Sequence, residues 1–133
     1  MPVEMKAEYL GELHCRLSHG PSGMVIDTDA PVDNKGRGLA FSPTDLVGAA
    51  LLSCALTTMA IAADGDGVSL TGTSGRVVKD MQPSPRKIAK LTLEIALPTA
   101  LTAAQRERFE RVAHACPVAR SLASDVVVEM IFS

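Results

Sequence analysis

The sequence is poor in aromatic residues: three Phe, one Tyr and no Trp among 133 residues. Single-stranded nucleic acids are held largely on aromatic stacking platforms, so this scarcity argues against that class. It also predicts a core of Val, Leu, Ile, Ala and Met. Basic runs are missing too. Thirteen Lys and Arg stand against 15 Asp and Glu, for a net charge of −2, and nothing here neutralises a phosphate backbone. Three cysteines are too few for a disulfide scaffold, and the number is odd. No signal-peptide pattern opens the chain, since Met1-Pro2-Val3-Glu4 passes directly into mixed sequence. A reducing, cytoplasmic setting is therefore expected, where a thiol is reactive, structural or metal-bound. No P-loop, dinucleotide fingerprint or Gly-x-Ser-x-Gly occurs. His14-Cys15 and His114-x-Cys116 lack zinc-ligand spacing, so no metal is expected.

What is present reads as one globular domain spanning residues 1–133, with 47% hydrophobic and 21% charged residues. Residues 4–30 read as three short strands broken at Gly11 and at His19–Gly23, with Leu13, Cys15 and Leu17 on one face. His19 is expected to be solvated. Residues 29–41 form a long loop. Ser42-Pro43-Thr44-Asp45 is the sharpest helix start: Ser42 caps, Pro43 suits the first position, and Asp45 completes an approximate capping box. The next 18 residues, Leu46 to Ala63, carry no charge. That length touches the transmembrane threshold. The abrupt Asp45 and Asp64, six Ala and the lack of flanking Lys or Arg favour a buried helix of a soluble protein, apolar nearly all round. Val68–Met81 and Ile88–Leu97 read as strands, the second with clean alternation. Thr102 to Gln105 is a capping box opening a helix to about His114, whose imidazole suits a helix C-terminus. Pro117 starts a short helix through Leu122, and Val126 to Phe132 closes the chain as a strand. The fold class is α+β.

The thiols differ in setting. Cys54, in the middle of the apolar helix, is either a small buried hydrophobe or a working thiol. Cys116 stands directly before Pro117, in the cap position of the short helix. Unpaired N–H groups there favour a thiolate, and Arg120 lies one turn on. The bland reading is a cap that merely packs. Cys15, on a strand between His14 and Arg16, reads as structural.

Ser42-Pro43-Thr44-Asp45-Leu46, then Ala49-Ala50-Leu51-x-x-Cys54, and later Ala115-Cys116-Pro117-Val118-Ala119-Arg120-Ser121-Leu122 resemble the OsmC/Ohr family of osmotically inducible and organic hydroperoxide resistance proteins. The resemblance runs from Tyr9 to the end. It implies antiparallel sheets around a long buried central helix, in an intertwined homodimer with sites at the interface. It also implies a thiol-dependent peroxidase that uses no cofactor. Cys54 is then the peroxidatic thiol, Cys116 the resolving thiol, and a dithiol the reductant. An Arg, with a Glu near the start of the central helix, would hold the thiolate. Arg16 is the nearest candidate and Arg37 the next. Thr44 stands at the Glu position, and Asp45 beside it is a cap.

Thr44 and Cys54 lie ten residues apart on one helix, roughly 15 Å along its axis, so a shared site needs a second subunit. Two functions remain open from the sequence. One is a peroxidase preferring organic hydroperoxides, with Leu46, Leu51, Leu56 and Met59 as apolar walls. The other is a catalytically weak dimer that binds a small apolar ligand or senses redox state. Neither involves a nucleic acid or a membrane.

Overall fold

Gly11 and the turn at 19–23 cut the start of the chain into three strands. In the computed structural model, which describes residues 1–133, these are β1 (Met5–Tyr9), β2 (His14–His19) and β3 (Val25–Asp29). They form an antiparallel sheet in that order. Gly11, Glu12 and Leu13 have φ of 87°, 54° and 61°. The β1–β2 connection is therefore left-handed, and Leu13 leaves the face on which alternation placed it with Cys15 and Leu17. His19 Nδ1 lies 2.6 Å from Ser22 Oγ and helps close the next turn.

This sheet belongs to the first of two compact units, Met1–Leu46; the second is Val47–Ser133. In the first unit, antiparallel register sets His14 opposite Asp29 and Arg16 opposite Asp27. His14 Nδ1 lies 2.6 Å from Asp29 Oδ1, and Nε2 lies 3.1 Å from Asp27 Oδ2. Ionised carboxylates only accept, so His14 can donate to both at once only as an imidazolium. Asp29, fully buried, also accepts the Leu39 N–H at 2.9 Å, and its own N–H donates to the Phe41 carbonyl at 3.1 Å. The loop from 30 to 41 is thus tied to the end of β3. It closes so tightly that a Cβ on Gly36 would sit 1.8 Å from the Ala30 carbonyl oxygen. Only glycine fits there.

This latch has a defined pH window. Hydrogen bonds to Asp29 and then Asp27 raise His14 above its ordinary 6.5. His14 holds Asp29 below its ordinary 3.8, against burial, which raises it; Arg16 and then His14 lower Asp27. The His14 contribution is complete below 6.5 and is lost as pH rises through its raised value. The carboxylate contribution is complete above 3.8 and is lost as pH falls through their lowered values. We expect amide-exchange protection at Leu39 to be greatest between those limits and to fall on both sides. A His14→Gln chain should lose the alkaline limb; protection that ignores pH in the native chain would refute the latch.

The helix start works as its sequence predicts. The Ser42 hydroxyl accepts the Asp45 N–H at 3.0 Å, and Asp45 Oδ2 accepts the Ser42 N–H at 2.9 Å. This is a capping box closed by Asp rather than Glu. It opens α1 (Pro43–Gly65).

The second unit contains most of α1, then β4 (Ser74–Pro83), β5 (Arg86–Ala96), α2 (Ala103–His114), α3 (Pro117–Ser121) and β6 (Val127–Phe132). β4 starts later than its composition predicts. Gly72 has φ of 93°, and the Thr73 hydroxyl donates to the Leu70 carbonyl at 2.6 Å, which holds 70–73 as a turn instead of a ladder. In β5 the alternation is realised in full: Leu91, Leu93 and Ile95 are buried. They face Leu51, Ala55, Met59 and Ala63 of α1 and Phe109 and Ala113 of α2 in one cluster. Gly48 lets α1 approach the sheet, since a Cβ there would already touch Leu91 at 3.4 Å.

Two details differ from expectation. The sheets are not wholly antiparallel, because β6 pairs parallel with β5. The α2–α3 crossover carries the chain back before it adds this strand, as a parallel pair requires. And α1, long and apolar enough by length and composition to cross a membrane, is only 28% buried over that stretch. This chain covers one stripe of the helix, at residues 48, 51, 55, 59 and 63. Ala50, Ser53, Thr57 and Ile61 on other faces are exposed.

Candidate active site

Cys54 stands beside the buried stripe of α1, at its half-buried edge. Cys116 reaches the same place from α2. The capping box of Thr102 and Gln105 starts α2, Phe109 and Ala113 anchor it in the core, and the chain turns at Ala115. Cys116 then takes an extended conformation (φ −64°, ψ 152°) as N-cap of α3, with Pro117 at the first helical position. Pro117 needs no N–H partner there and sets the helical φ, which fixes where α3 begins.

The fold brings the two thiols to one place, where each shifts the other's proton affinity, and both are free. Their proton affinities are pushed apart. Burial raises Cys54, but the Val118 N–H, the Thr58 hydroxyl and the Cys116 thiol outweigh it, so Cys54 lies below its ordinary value. The Thr58 oxygen is 3.8 Å from the Cys54 sulfur, one turn along α1. Cys116 goes the other way. It is fully buried, and burial is the largest cause of its raised value. The neighbouring Cys54 raises it further, and the Ala119 and Val118 N–H groups oppose this without reversing it.

This corrects one expectation. The cap position was expected to favour the Cys116 thiolate. The start of α3 donates to both thiols, but at Cys116 burial outweighs it, whereas at Cys54 the Val118 N–H and the other donors outweigh burial. The two thiols are thus unequal: Cys54 gives up its proton more readily than a free thiol, and Cys116 less readily.

The arginine candidates lie in the first unit. Arg16 Nε donates to Asp27 Oδ1 at 3.1 Å, and Arg37 pairs with Glu12 at 2.7 Å. Cys15 is a half-buried thiol on β2, opposite Thr28. Thr44 Oγ1 is 3.3 Å from Ser42 Oγ, in the cap of α1. Of the expected apolar walls, Leu51 and Met59 are fully buried in the core, and Leu46 and Leu56 are half-buried. Sequence reasoning missed Thr58 and Val118. Thr58 carried a signal, since four residues beyond Cys54 on a helix is the same face. Val118 acts through its backbone and carried none.

The OsmC-like protein family matches over residues 35–131. A Psychrobacter arcticus protein named for an osmotic-stress-induced detoxification response is 37% identical, covering 97% of this chain and 94% of its own, with a TM-score of 0.93. An organic hydroperoxide resistance protein OsmC of Legionella pneumophila is similar in fold at 22% identity, covering 100% and 97%, with a TM-score of 0.78. An organic hydroperoxide resistance protein of Bacillus subtilis is similar at 17% identity, covering 100% and 98%, with a TM-score of 0.69. A search of curated proteins finds no match. The helix-borne Cys54, the distant Cys116-Pro117 and the fold that joins them therefore have one common source: the chain belongs to the OsmC-like family.

Proposed function

We propose that this protein is a thiol-dependent peroxidase that reduces organic hydroperoxides, and hydrogen peroxide less readily. The observation that carries the reading is the Cys54–Cys116 pair, in which Cys54 holds its proton less tightly than an ordinary thiol and Cys116 more tightly. The Cys54 thiolate attacks the O–O bond and becomes a sulfenic acid. The departing alkoxide takes a proton and leaves as alcohol. The Cys116 thiol then condenses with the sulfenic acid, water leaves and a disulfide forms. A dithiol reductant reopens it by exchange.

The acting form in this proposal is a homodimer in the reducing cytoplasm. Its support is the apolar surface each unit leaves open. In the first unit Met5, Tyr9, Met24, Val25 and Ile26 are exposed on a sheet of three strands. In the second, Ile61 of α1 is 67% exposed. Monomeric proteins rarely leave such area to water. The ties of Arg16 to Asp27 and of Arg37 to Glu12 favour the competing reading, a dimer that binds a small apolar ligand or senses redox state.

Thiol counting separates the two. One equivalent of cumene hydroperoxide should consume two thiols per chain and leave Cys15 free, with a Cys54–Cys116 peptide pair found by mass spectrometry. Three unreacted thiols would leave the ligand-binding reading.

A further inference from the structure

Threonine inside a helix commonly returns its hydroxyl to the carbonyl four residues back. Thr58 instead has its Oγ1 3.8 Å from the sulfur of Cys54, within range of a hydrogen bond to sulfur. The groups that favour the Cys54 thiolate are then the Val118 N–H, the Thr58 hydroxyl and the Cys116 thiol, and none is charged. Cys116 is the titratable group that faces Cys54 from the neighbouring element, and no charged side chain contributes to the shift. These donors are not equivalent through the proposed cycle. Cys116 is consumed when the disulfide forms. Val118 acts through its backbone, so side-chain variation does not remove it. Thr58 is the side-chain donor that remains in place.

We propose that the Thr58 hydroxyl donates to the Cys54 sulfur and sets its reactivity as a nucleophile, an inference that rests on Cys54 being the attacking thiol. Its role is that of an uncharged hydrogen-bond donor in direct contact with the reacting atom. A hydrogen bond to an ionised group is stronger than a neutral one. Because the donor is neutral, its own contribution does not depend on ionic strength, whereas that of a solvent-exposed guanidinium does.

The test is the pH profile of Cys54 alkylation by iodoacetamide in the reduced Cys15→Ser chain, read by peptide mass spectrometry. Thr58→Val keeps the volume and the branched Cβ and removes the donor. It should slow Cys54 alkylation near neutral pH by about three- to tenfold, move the profile to higher pH and leave the alkaline limit unchanged. Thr58→Ser restores the hydroxyl and should follow the parent at low and high salt alike. Circular dichroism and thermal unfolding of each variant establish that the helix is intact. A Thr58→Val profile that superimposes on the parent, or a Thr58→Ser profile that follows Thr58→Val, overturns the proposal. Alkylation needs no peroxide. A parent chain that fails to consume hydroperoxide while Thr58→Val still shifts the profile sinks the peroxidase reading and leaves Thr58 standing. The reverse pattern sinks Thr58 alone.

Discussion

Replacing Cys54 with serine lowers cumene hydroperoxide consumption by on the order of a thousandfold or more, because the nucleophile is lost and the remaining residues do not act without it. A serine hydroxyl stays protonated beside the Val118 N–H and the Thr58 hydroxyl, and oxygen is a poor nucleophile toward a peroxide bond. The Cys116→Ser chain should behave differently. Its Cys54 keeps two of its three donors and should still react once, leaving a sulfenic acid that a dimedone probe captures. Turnover then stops for want of the resolving thiol. Cys15→Ser should match the parent in both assays. The measurement is peroxide loss under excess dithiol with each variant at equal concentration. A Cys54→Ser chain that consumes hydroperoxide at the parent rate would falsify the assignment of the peroxidatic thiol.

The second large effect is on stability. Phe109 is fully buried, and it anchors α2 against the cluster of Leu51, Met59, Leu91, Leu93 and Ile95. Phe109→Ala removes the largest core side chain and leaves a cavity that its neighbours only partly fill, at a cost of about 3–5 kcal/mol. Domains of this kind are stable by about 5–15 kcal/mol, so the loss is a large share of the total. Urea unfolding followed by circular dichroism should show a lower midpoint with a similar slope. The variant should also lose selectivity between its thiols. Cys116 lies seven residues beyond Phe109, in the same core cluster, and a loosened α2 exposes it to alkylation. A loss below about 1 kcal/mol would mean that the core collapses around the gap.

The elements were largely legible because each is announced locally. Ser42-Pro43-x-Asp45 and Thr102-x-x-Gln105 start helices through side chains that accept a first backbone N–H, Cys116-Pro117 starts one with a proline that has no N–H to satisfy, and all three starts stand where the sequence places them. The period-two run of β5 was equally plain. Turn chemistry was read less well. Nothing in Val68 to Thr73 distinguishes a strand from a turn until Gly72 adopts a positive φ and the Thr73 hydroxyl donates to the Leu70 carbonyl. The parallel pairing of β6 was not readable at all, since strand direction depends on how far the α2–α3 crossover carries the chain.

The site divides along the same line. The sequence by itself determined which thiols are set apart: Cys54 and Cys116 each sit in a motif, and Cys15 does not. It also pointed to Cys116 as the cap position of a helix, because proline suits the first helical position. The tertiary structure alone decided which thiol gives up its proton more readily. Proton affinity follows the balance of burial against donors, and both terms come from residues distant in the chain. The start of α3 was legible as a source of N–H groups. That these groups serve Cys54, 64 residues earlier, and that full burial raises Cys116 itself, follows only from packing α1 against α3. The scarce aromatics end with a comparable division. Composition predicted an aliphatic core, and the core is aliphatic except at Phe109, the one aromatic residue that the fold seals completely.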